Sequence, residues 1–180
     1  ALSQAYVLDT TPPATTVATK SFSADTGSSS TDFITKTAAQ TISGTLSANV
    51  AAGEVVYVSL DNGSTWAAAT TSVGANTWSL SGQTLTGSNT LKVKVTDAAG
   101  NSATSNEVSV VVDKTVPIAG TLSLANLSDT GSADTPVVTS DNSFDLSLSA
   151  STDANATTVV YEVSSDAGVT WTGTTAAQSA

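Results

Sequence analysis

Residues 91–96 read Leu-Lys-Val-Lys-Val-Thr, with apolar and polar side chains in strict alternation. Because successive side chains of a β-strand point to opposite faces, this pattern predicts a strand with one apolar face and one face in water. Residues 108–112 (Val-Ser-Val-Val-Val) show a similar pattern, and residues 54–60 (Glu-Val-Val-Tyr-Val-Ser-Leu) are β-rich on both faces. No segment has the apolar spacing of an amphipathic helix, so the sequence predicts an all-β protein.

Seven strand-like segments, separated by polar turns, precede residue 113. Seven short strands in about 100 residues are typical of an immunoglobulin-like β-sandwich. Named A to G in chain order, the predicted strands are Thr16–Phe22, Thr41–Ala48, Glu54–Leu60, Thr65–Thr70, Asn76–Leu80, Asn89–Thr96 and Ser105–Val112.

The chain also repeats itself. Asp-Thr-Thr-Pro-Pro at residues 9–13 returns as Asp-Lys-Thr-Val-Pro at 113–117, and Asp-Thr-Gly at 25–27 returns at 129–131. A fixed period predicts a tandem array, here tandem immunoglobulin-like β-sandwich domains of about 104 residues per repeat. The expected domains are 1–8, the G strand of a preceding repeat; 9–112, a complete repeat; and 113–180, the N-terminal part of a second repeat. Its missing strands come either from a longer chain or from another molecule.

Composition excludes most catalytic chemistry. The chain has no His and no Cys, and all five basic residues are Lys. It therefore lacks an imidazole base, a thiolate nucleophile and a guanidinium that could bind phosphate, so we expect no enzyme. A formal net charge of −10 disfavours nucleic acid as a partner. No apolar stretch is long enough to predict insertion into a membrane.

Twelve of the fifteen acidic residues are Asp, mainly in predicted turns. Seven alternating strands place the AB turn, the CD turn and the end of strand G at one end of the sandwich, called the bottom. The FG turn and the start of strand A lie at the other end, called the top. Like charges gathered at an end repel one another unless a cation intervenes, and calcium prefers oxygen ligands of this kind. The alternative is that these residues only form turns and supply surface charge. The acids expected to gather are Asp25, Asp32, Asp61 and Asp113 at the bottom, Asp9 and Asp97 at the top, and Asp129, Asp134 and Asp166 at the bottom of the second repeat.

Two short motifs match the Asp-box pattern of sialidase propellers. They read Ser-x-Asp-x-Gly-x-Thr-Trp at residues 59–66 and again at 164–171. The pattern describes a β-hairpin in which the Asp accepts hydrogen bonds from the turn and the Trp packs beneath it. One copy per repeat is too sparse for propeller blades, so the motif is interpreted as structural.

Three motifs together resemble a known family. They are the Asp-Thr-Thr-Pro-Pro junction, residues 25–35 (Asp-Thr-Gly-Ser-Ser-Ser-Thr-Asp-Phe-Ile-Thr) and residues 95–101 (Val-Thr-Asp-Ala-Ala-Gly-Asn). In this order they resemble the bacterial Ig-like repeats of giant, RTX-type biofilm adhesins at the cell surface. The resemblance implies an extracellular extender that is stiffened by calcium and projects a distal adhesive domain. The family resemblance, together with the internal repetition of the sequence, implies seven calcium ligands: Asp9, Asp25, Asp32, Asp97, Asp113, Asp129 and Asp134.

Two classes of function follow from these observations. The first is a structural spacer whose partners are calcium ions and the neighbouring repeats of the same chain. The second is a glycan-binding module, which would display aromatic side chains on an exposed face. The repetition of Trp66 at Trp171 favours the spacer. An Ig-like decoration domain of a phage or S-layer particle would share the same fold.

Overall fold

β-Strands are the regular elements of the computed structural model, which describes residues 5–118, 120–125, 145–149, 158–164 and 166–179. The chain divides into two compact units, Ala1–Lys114 and Thr115–Ala180. The strands of the first unit are β1 (Ser21–Phe22), β2 (Ile34–Thr35), β3 (Ala39–Thr45), β4 (Val55–Ser59), β5 (Ala67–Ala68), β6 (Thr70–Thr71), β7 (Thr77–Thr84), β8 (Ser88–Thr96), β9 (Ser102–Thr104) and β10 (Val108–Val112).

The first unit is a sandwich of two sheets. The first sheet has the strand order β1-β3-β7-β6, and the second has the order β2-β10-β8-β4-β5, with β9 also paired to β8. Neighbouring strands are antiparallel except β2 and β10, which run parallel with Val111 opposite Ile34. This architecture confirms the predicted all-β, Ig-like sandwich.

The core lies between the two sheets and includes the side chains of β8 that alternation assigned to the apolar face. Leu91, Val93 and Val95 of β8 are fully buried, as are Ile42 of β3 and Val56 of β4. The cluster is completed by Phe22, Leu46, Val50, Val58, Ala69, Trp78, Leu85 and Val110. Burial of these aliphatic and aromatic groups supplies the main stabilising free energy in a chain that has no disulfide.

Predicted strand A is only partly formed. Its start at Thr16 makes no ladder, because Ala18 and Thr19 both donate their backbone amides to the carbonyl of Thr45 and the strand is bulged there. Regular pairing begins only at Ser21. The short strands β2 and β9 were not predicted from the sequence, because each has only two or three residues and pairs along only part of a neighbouring strand.

The edges of both sheets are short. The outer strands β1, β6, β2 and β5 have two residues each. Lys20, directly before β1, donates its ammonium group to the carbonyl oxygen of Asn106 at 3.2 Å, and desolvation by burial lowers the pKa of Lys20. Short edges and a charge at the edge both oppose pairing with strands of other molecules.

The second unit contains two described strand pairs. β11 (Leu122–Ala125) pairs with β12 (Asp145–Leu148), and β13 (Thr158–Val163) pairs with β14 (Thr172–Ser179), both antiparallel. Among the residues described in either unit, no helix is long and apolar enough to cross a lipid bilayer. That the second unit repeats the sandwich of the first remains a prediction.

Candidate functional site

The turn after β4 is organised by the carboxylate of Asp61. Its Oδ1 accepts the backbone amide of Thr65 at 2.8 Å, and its Oδ2 accepts the Thr65 hydroxyl at 2.6 Å. The buried Ser59 hydroxyl donates to Oδ1 at 2.7 Å and accepts the amide of Gly63 at 2.8 Å. These bonds, those from Thr65 foremost, lower the pKa of Asp61 from 3.8 to about 2. All of this carboxylate's interactions are made within its own turn, and none requires a ligand.

The second Asp-box turn has the same geometry in the second unit. Asp166 accepts the amide and the hydroxyl of Thr170, and the Ser164 hydroxyl links Asp166 to the amide of Gly168. The bonds from Thr170 and Ser164 lower the pKa of Asp166 to about 2. The residue after the Asp has φ 60° in both turns, although it is Asn62 in the first and Ala167 in the second. The recurrence supports the interpretation of the motif as a structural device.

At the top of the sandwich, the FG turn holds the segment that leads into the domain. Asp97 accepts the backbone amides of Ala99 and Asn101 through Oδ1, each at 2.9 Å. The Asn101 side-chain amide donates to Oδ2 of Asp97 at 3.0 Å and to the backbone carbonyl of Asp9 at 3.1 Å. Asp9 in turn accepts the amide of Thr11 at 3.0 Å. The structure thus brings Asp9 and Asp97 to the same end, linked by one asparagine.

Two opposing effects act on the pKa of Asp97. Desolvation of its carboxyl group raises the pKa, whereas the hydrogen bonds from Asn101, Ala99 and Gly100 lower it and together prevail, so that the net pKa is lowered. Asp97 is therefore ionised at neutral pH and stabilises the turn as a carboxylate.

At the bottom, the AB turn leaves one carboxylate oxygen unsatisfied. Oδ2 of Asp25 accepts the backbone amide of Phe33 at 3.1 Å, while Oδ1 is buried and accepts no hydrogen bond. Phe33 has φ 61°, a strained conformation for a residue other than glycine. Asp32 accepts the amide of Ile34 at 3.0 Å, which forms a local turn. A buried, ionisable oxygen without a donor is a site at which a cation is favourable.

Asp113 is positioned by its backbone at the end of β10. Its amide donates to the carbonyl of Thr35 at 2.9 Å, which extends the parallel pairing of β10 with β2. The sandwich therefore places the backbone of Asp113 beside β2, the short strand within the AB turn.

Among the described residues, the carboxylates expected at the bottom of the first unit do not gather into a group of three. In the described part of the chain, no group of three acidic side chains lies close enough together to hold a metal ion. Asp61 uses both its oxygens within its own hairpin, and Asp32 and Asp97 accept amides of their own turns. Asp129 and Asp134 lie outside the described residues. A calcium site here would thus be built around one or two carboxylates, with carbonyl and amide oxygens and water completing its coordination.

The outer face of the second sheet carries two aromatic rings and two lysines. The Lys94 ammonium lies 4.4 Å from the centroid of the Trp66 ring and 5.6 Å from that of Tyr57. Lys92, on the same strand, forms an ion pair with Glu107 at 3.4 Å. Because Lys94 already lies over the Trp66 ring, this surface is a cation–π contact and not an open aromatic platform for a sugar ring.

Three residues determine these turns through hydrogen bonds that were not predicted from the sequence. Asn101 ties the FG turn to the linker, Ser59 closes the first Asp box, and buried Gln40 bonds Ser23, Ala24 and Thr37 at the base of the AB turn. The sequence offered a signal for Asn101, the last residue of the motif at 95–101, and for Ser59, the first residue of the Asp-box motif. Gln40 acts through polar contacts that no apolar pattern records.

The sequence matches the family described as bacterial Ig-like domain over residues 11–114, which is more than half of the chain and most of the first unit. No curated protein matches it significantly, and no enzyme family is found. Domains of this family are usually non-catalytic and commonly occur in surface or secreted proteins. With its two-sheet sandwich and its aligned span, the chain belongs to the bacterial Ig-like domain family.

Proposed function

We propose that this chain is a structural spacer of a large bacterial surface adhesin, one part of a rod of Ig-like units that carries a distal adhesive domain away from the cell. The observation that carries this proposal is the contact between Asn101 and the backbone of Asp9. A domain whose FG turn is bonded to its own entry segment restricts the angle at which a preceding unit is attached. A spacer made of several domains stays extended and stiff only if the linkers between its domains are restricted in angle.

The second unit supports the same proposal through its sequence. The junction motif at 9–13 returns at 113–117, and the Asp-box turn returns with the same hydrogen bonds. The proposed rod is therefore a series of equivalent units, each joined to the next by a short Pro-containing linker.

Calcium is proposed as the stiffening ion. Asp25 would provide a ligand at the bottom end through its unsatisfied Oδ1. At the top end, the carbonyl of Asp9 and Oδ2 of Asp97 both point to the side-chain amide of Asn101. Asp32 and Asp113 lie in or beside the bottom turns. When bound, the ion would neutralise the carboxylates and cross-link each turn to the segment next to it.

Thermal melting of the full chain in excess EGTA and in millimolar calcium tests this part of the proposal. Because the ion binds only the folded state, calcium should raise the melting temperature by mass action, and magnesium should not. Asp25→Asn should reduce the calcium-dependent rise, whereas Asp61→Asn should lower the melting temperature equally in both conditions. Identical melts with and without calcium would mean that the acids serve only as turn formers and surface charge.

A second experiment tests the junction itself. Asp113→Ala should loosen the connection between units more than it unfolds either of them, because Asp113 directly follows β10 and begins the linker. The variant removes its carboxylate and keeps its backbone bond to Thr35. Small-angle scattering reports the distribution of end-to-end lengths, and a melt of the same sample reports unfolding. Unchanged length distribution and calcium affinity in this variant would exclude Asp113 as a junction residue.

A further inference from the structure

The first Asp-box turn contains an Asn-Gly dipeptide, Asn62-Gly63, at its exposed tip. Both residues have positive φ, 60° and 93°. We propose that Asn62 is a latent deamidation site, closed in the folded hairpin by Ser59 and opened only when the hairpin opens. This inference does not rest on the proposed function of the chain.

The reaction requires no cofactor. The backbone nitrogen of Gly63 loses its proton and attacks the side-chain carbonyl carbon of Asn62, and the side-chain nitrogen leaves as ammonia. Water then opens the resulting succinimide at either carbonyl and yields aspartate or isoaspartate. Glycine as the next residue offers the least steric hindrance to this ring closure, because it has no Cβ.

Ser59 blocks the first step of this reaction. Its hydroxyl accepts the hydrogen of the Gly63 nitrogen at 2.8 Å and donates its own hydrogen to Asp61 at 2.7 Å. The hydrogen of the attacking nitrogen is thus held in a hydrogen bond to Ser59 in the folded hairpin. Ser59 is 2% exposed, so water does not readily replace it as the acceptor. A deprotonated Gly63 nitrogen would also lie near the Asp61 carboxylate, and this like charge disfavours its formation.

The second hairpin is a natural comparison within the same chain. The Gly168 amide bonds to the Ser164 hydroxyl at 2.7 Å, in the same geometry, but the preceding residue is Ala167, which has no side-chain amide. Deamidation should therefore occur in the first hairpin and not in the second. Isoaspartate would lengthen the backbone by one methylene group between Asp61 and Gly63. The Ser59–Asp61–Thr65 bonds could then no longer form together, so each opening that leads to reaction would be irreversible.

The test is peptide mapping of the purified full chain after incubation in mildly alkaline buffer, with and without urea. Mass spectrometry measures the fraction of chains in which the Asn62 amide has become a carboxylic acid, and chromatography separates the isoaspartate product from the aspartate product. We expect reaction in the folded chain to be at least about tenfold slower than in urea, a factor that corresponds to ~1.4 kcal/mol of opening free energy. Equal rates in the folded and unfolded chains would overturn the proposal.

Two variants separate the Ser59 contact from general loosening of the hairpin. Ser59→Ala removes the acceptor of the Gly63 amide and should accelerate deamidation several-fold. Thr65→Val removes a bond to Asp61 but leaves the Ser59–Gly63 bond, and it should stay close to the rate of the unmodified chain. If Thr65→Val accelerates the reaction as much as Ser59→Ala, or if neither variant accelerates it, Ser59 is not the residue that prevents deamidation in the folded hairpin. Hydrogen exchange at the Gly63 amide provides a second readout, which Ser59→Ala should speed in a folded protein.

Discussion

Thr65 donates both its backbone amide and its hydroxyl to the carboxylate of Asp61, at 2.8 and 2.6 Å. These two bonds and the one from Ser59 favour the ionised carboxyl group. They hold its pKa at about 2 in the folded state, below the ordinary 3.8. The folded chain therefore binds fewer protons here than the unfolded chain between these values.

The first prediction follows from the sign of this shift. Because the folded pKa of Asp61 is lowered, its contribution to stability is complete above pH 3.8 and is lost as the pH falls towards 2. Denaturant unfolding from neutral to acidic pH should show this loss. Asp61→Asn should be less stable at neutral pH and should depend less steeply on pH below 3.8. A variant that keeps the full acid dependence of the parent would show that other groups cause it.

The second prediction concerns Gly44 in β3. A Cβ at this position would lie 2.0 Å from the carbonyl oxygen of Thr19 and 2.7 Å from Cζ2 of buried Trp78. Neither the backbone of Thr19 nor the packed indole can move far, so Gly44→Ala should destabilise the first unit by about 3 kcal/mol. Gly87→Ala is the matched control, since Gly87 has φ 60° and no atom within 4 Å of its Cβ position.

Gly87→Ala should cost only about 1 kcal/mol, from backbone strain alone. Urea unfolding of both variants measures the difference. A Gly44→Ala variant no less stable than Gly87→Ala would mean that β1 can shift away from β3 at little cost.

The third prediction compares the two lysines of β8. Lys94→Met keeps the aliphatic stem and removes the ammonium from the Trp66 ring, and should lower the unfolding free energy by about 0.5–1 kcal/mol. Lys92→Met removes an exposed ion pair with Glu107 and should cost less than about 1 kcal/mol, with an effect that fades as salt increases. Urea unfolding at low and high salt measures both. A Lys94→Met effect that disappears in high salt would argue against a ring contact.

The sheets were predictable from the sequence because the alternation of apolar and polar residues along a strand shows which side chains are buried. Leu91, Val93 and Val95 were assigned to one face of a strand, and all three are fully buried. Strands G and A were predicted longer than they are. Strand A was extended because Thr and Val residues continue through the bulge at Ala18, which no local pattern encodes. Strand G was extended over the polar residues 105–107, which precede β10.

For the candidate site, strand order predicted only at which end of the sandwich each Asp lies. Strand order located Asp9 beside Asp97, and the structure links them through Asn101. It did not reveal that Asp25 would keep an unsatisfied oxygen, whereas the Asp-box motif did predict that Asp61 accepts hydrogen bonds within its own hairpin. The state of Asp25 depends on the rotation of individual side chains within the AB turn, and sequence spacing does not determine that rotation.

The last prediction concerns the entry segment. Asn101→Ala removes the bonds from the side-chain amide to Asp97 and to the carbonyl of Asp9, while the backbone bond from residue 101 to Asp97 remains. The FG turn should therefore persist, and the midpoint of unfolding should change little. Hydrogen exchange at Thr11, whose amide is bonded to Asp9, should become faster because the segment is no longer held.

Asn49→Ala, at an exposed position before β4, is the control and should leave exchange at Thr11 unchanged. In a chain of several units, Asn101→Ala should also broaden the distribution of lengths seen by small-angle scattering, because each entry segment would gain freedom at the FG turn. If exchange at Thr11 and the length distribution both match those of the parent, the Asn101–Asp9 contact does not stiffen the linker, and the spacer proposal loses the observation that carries it.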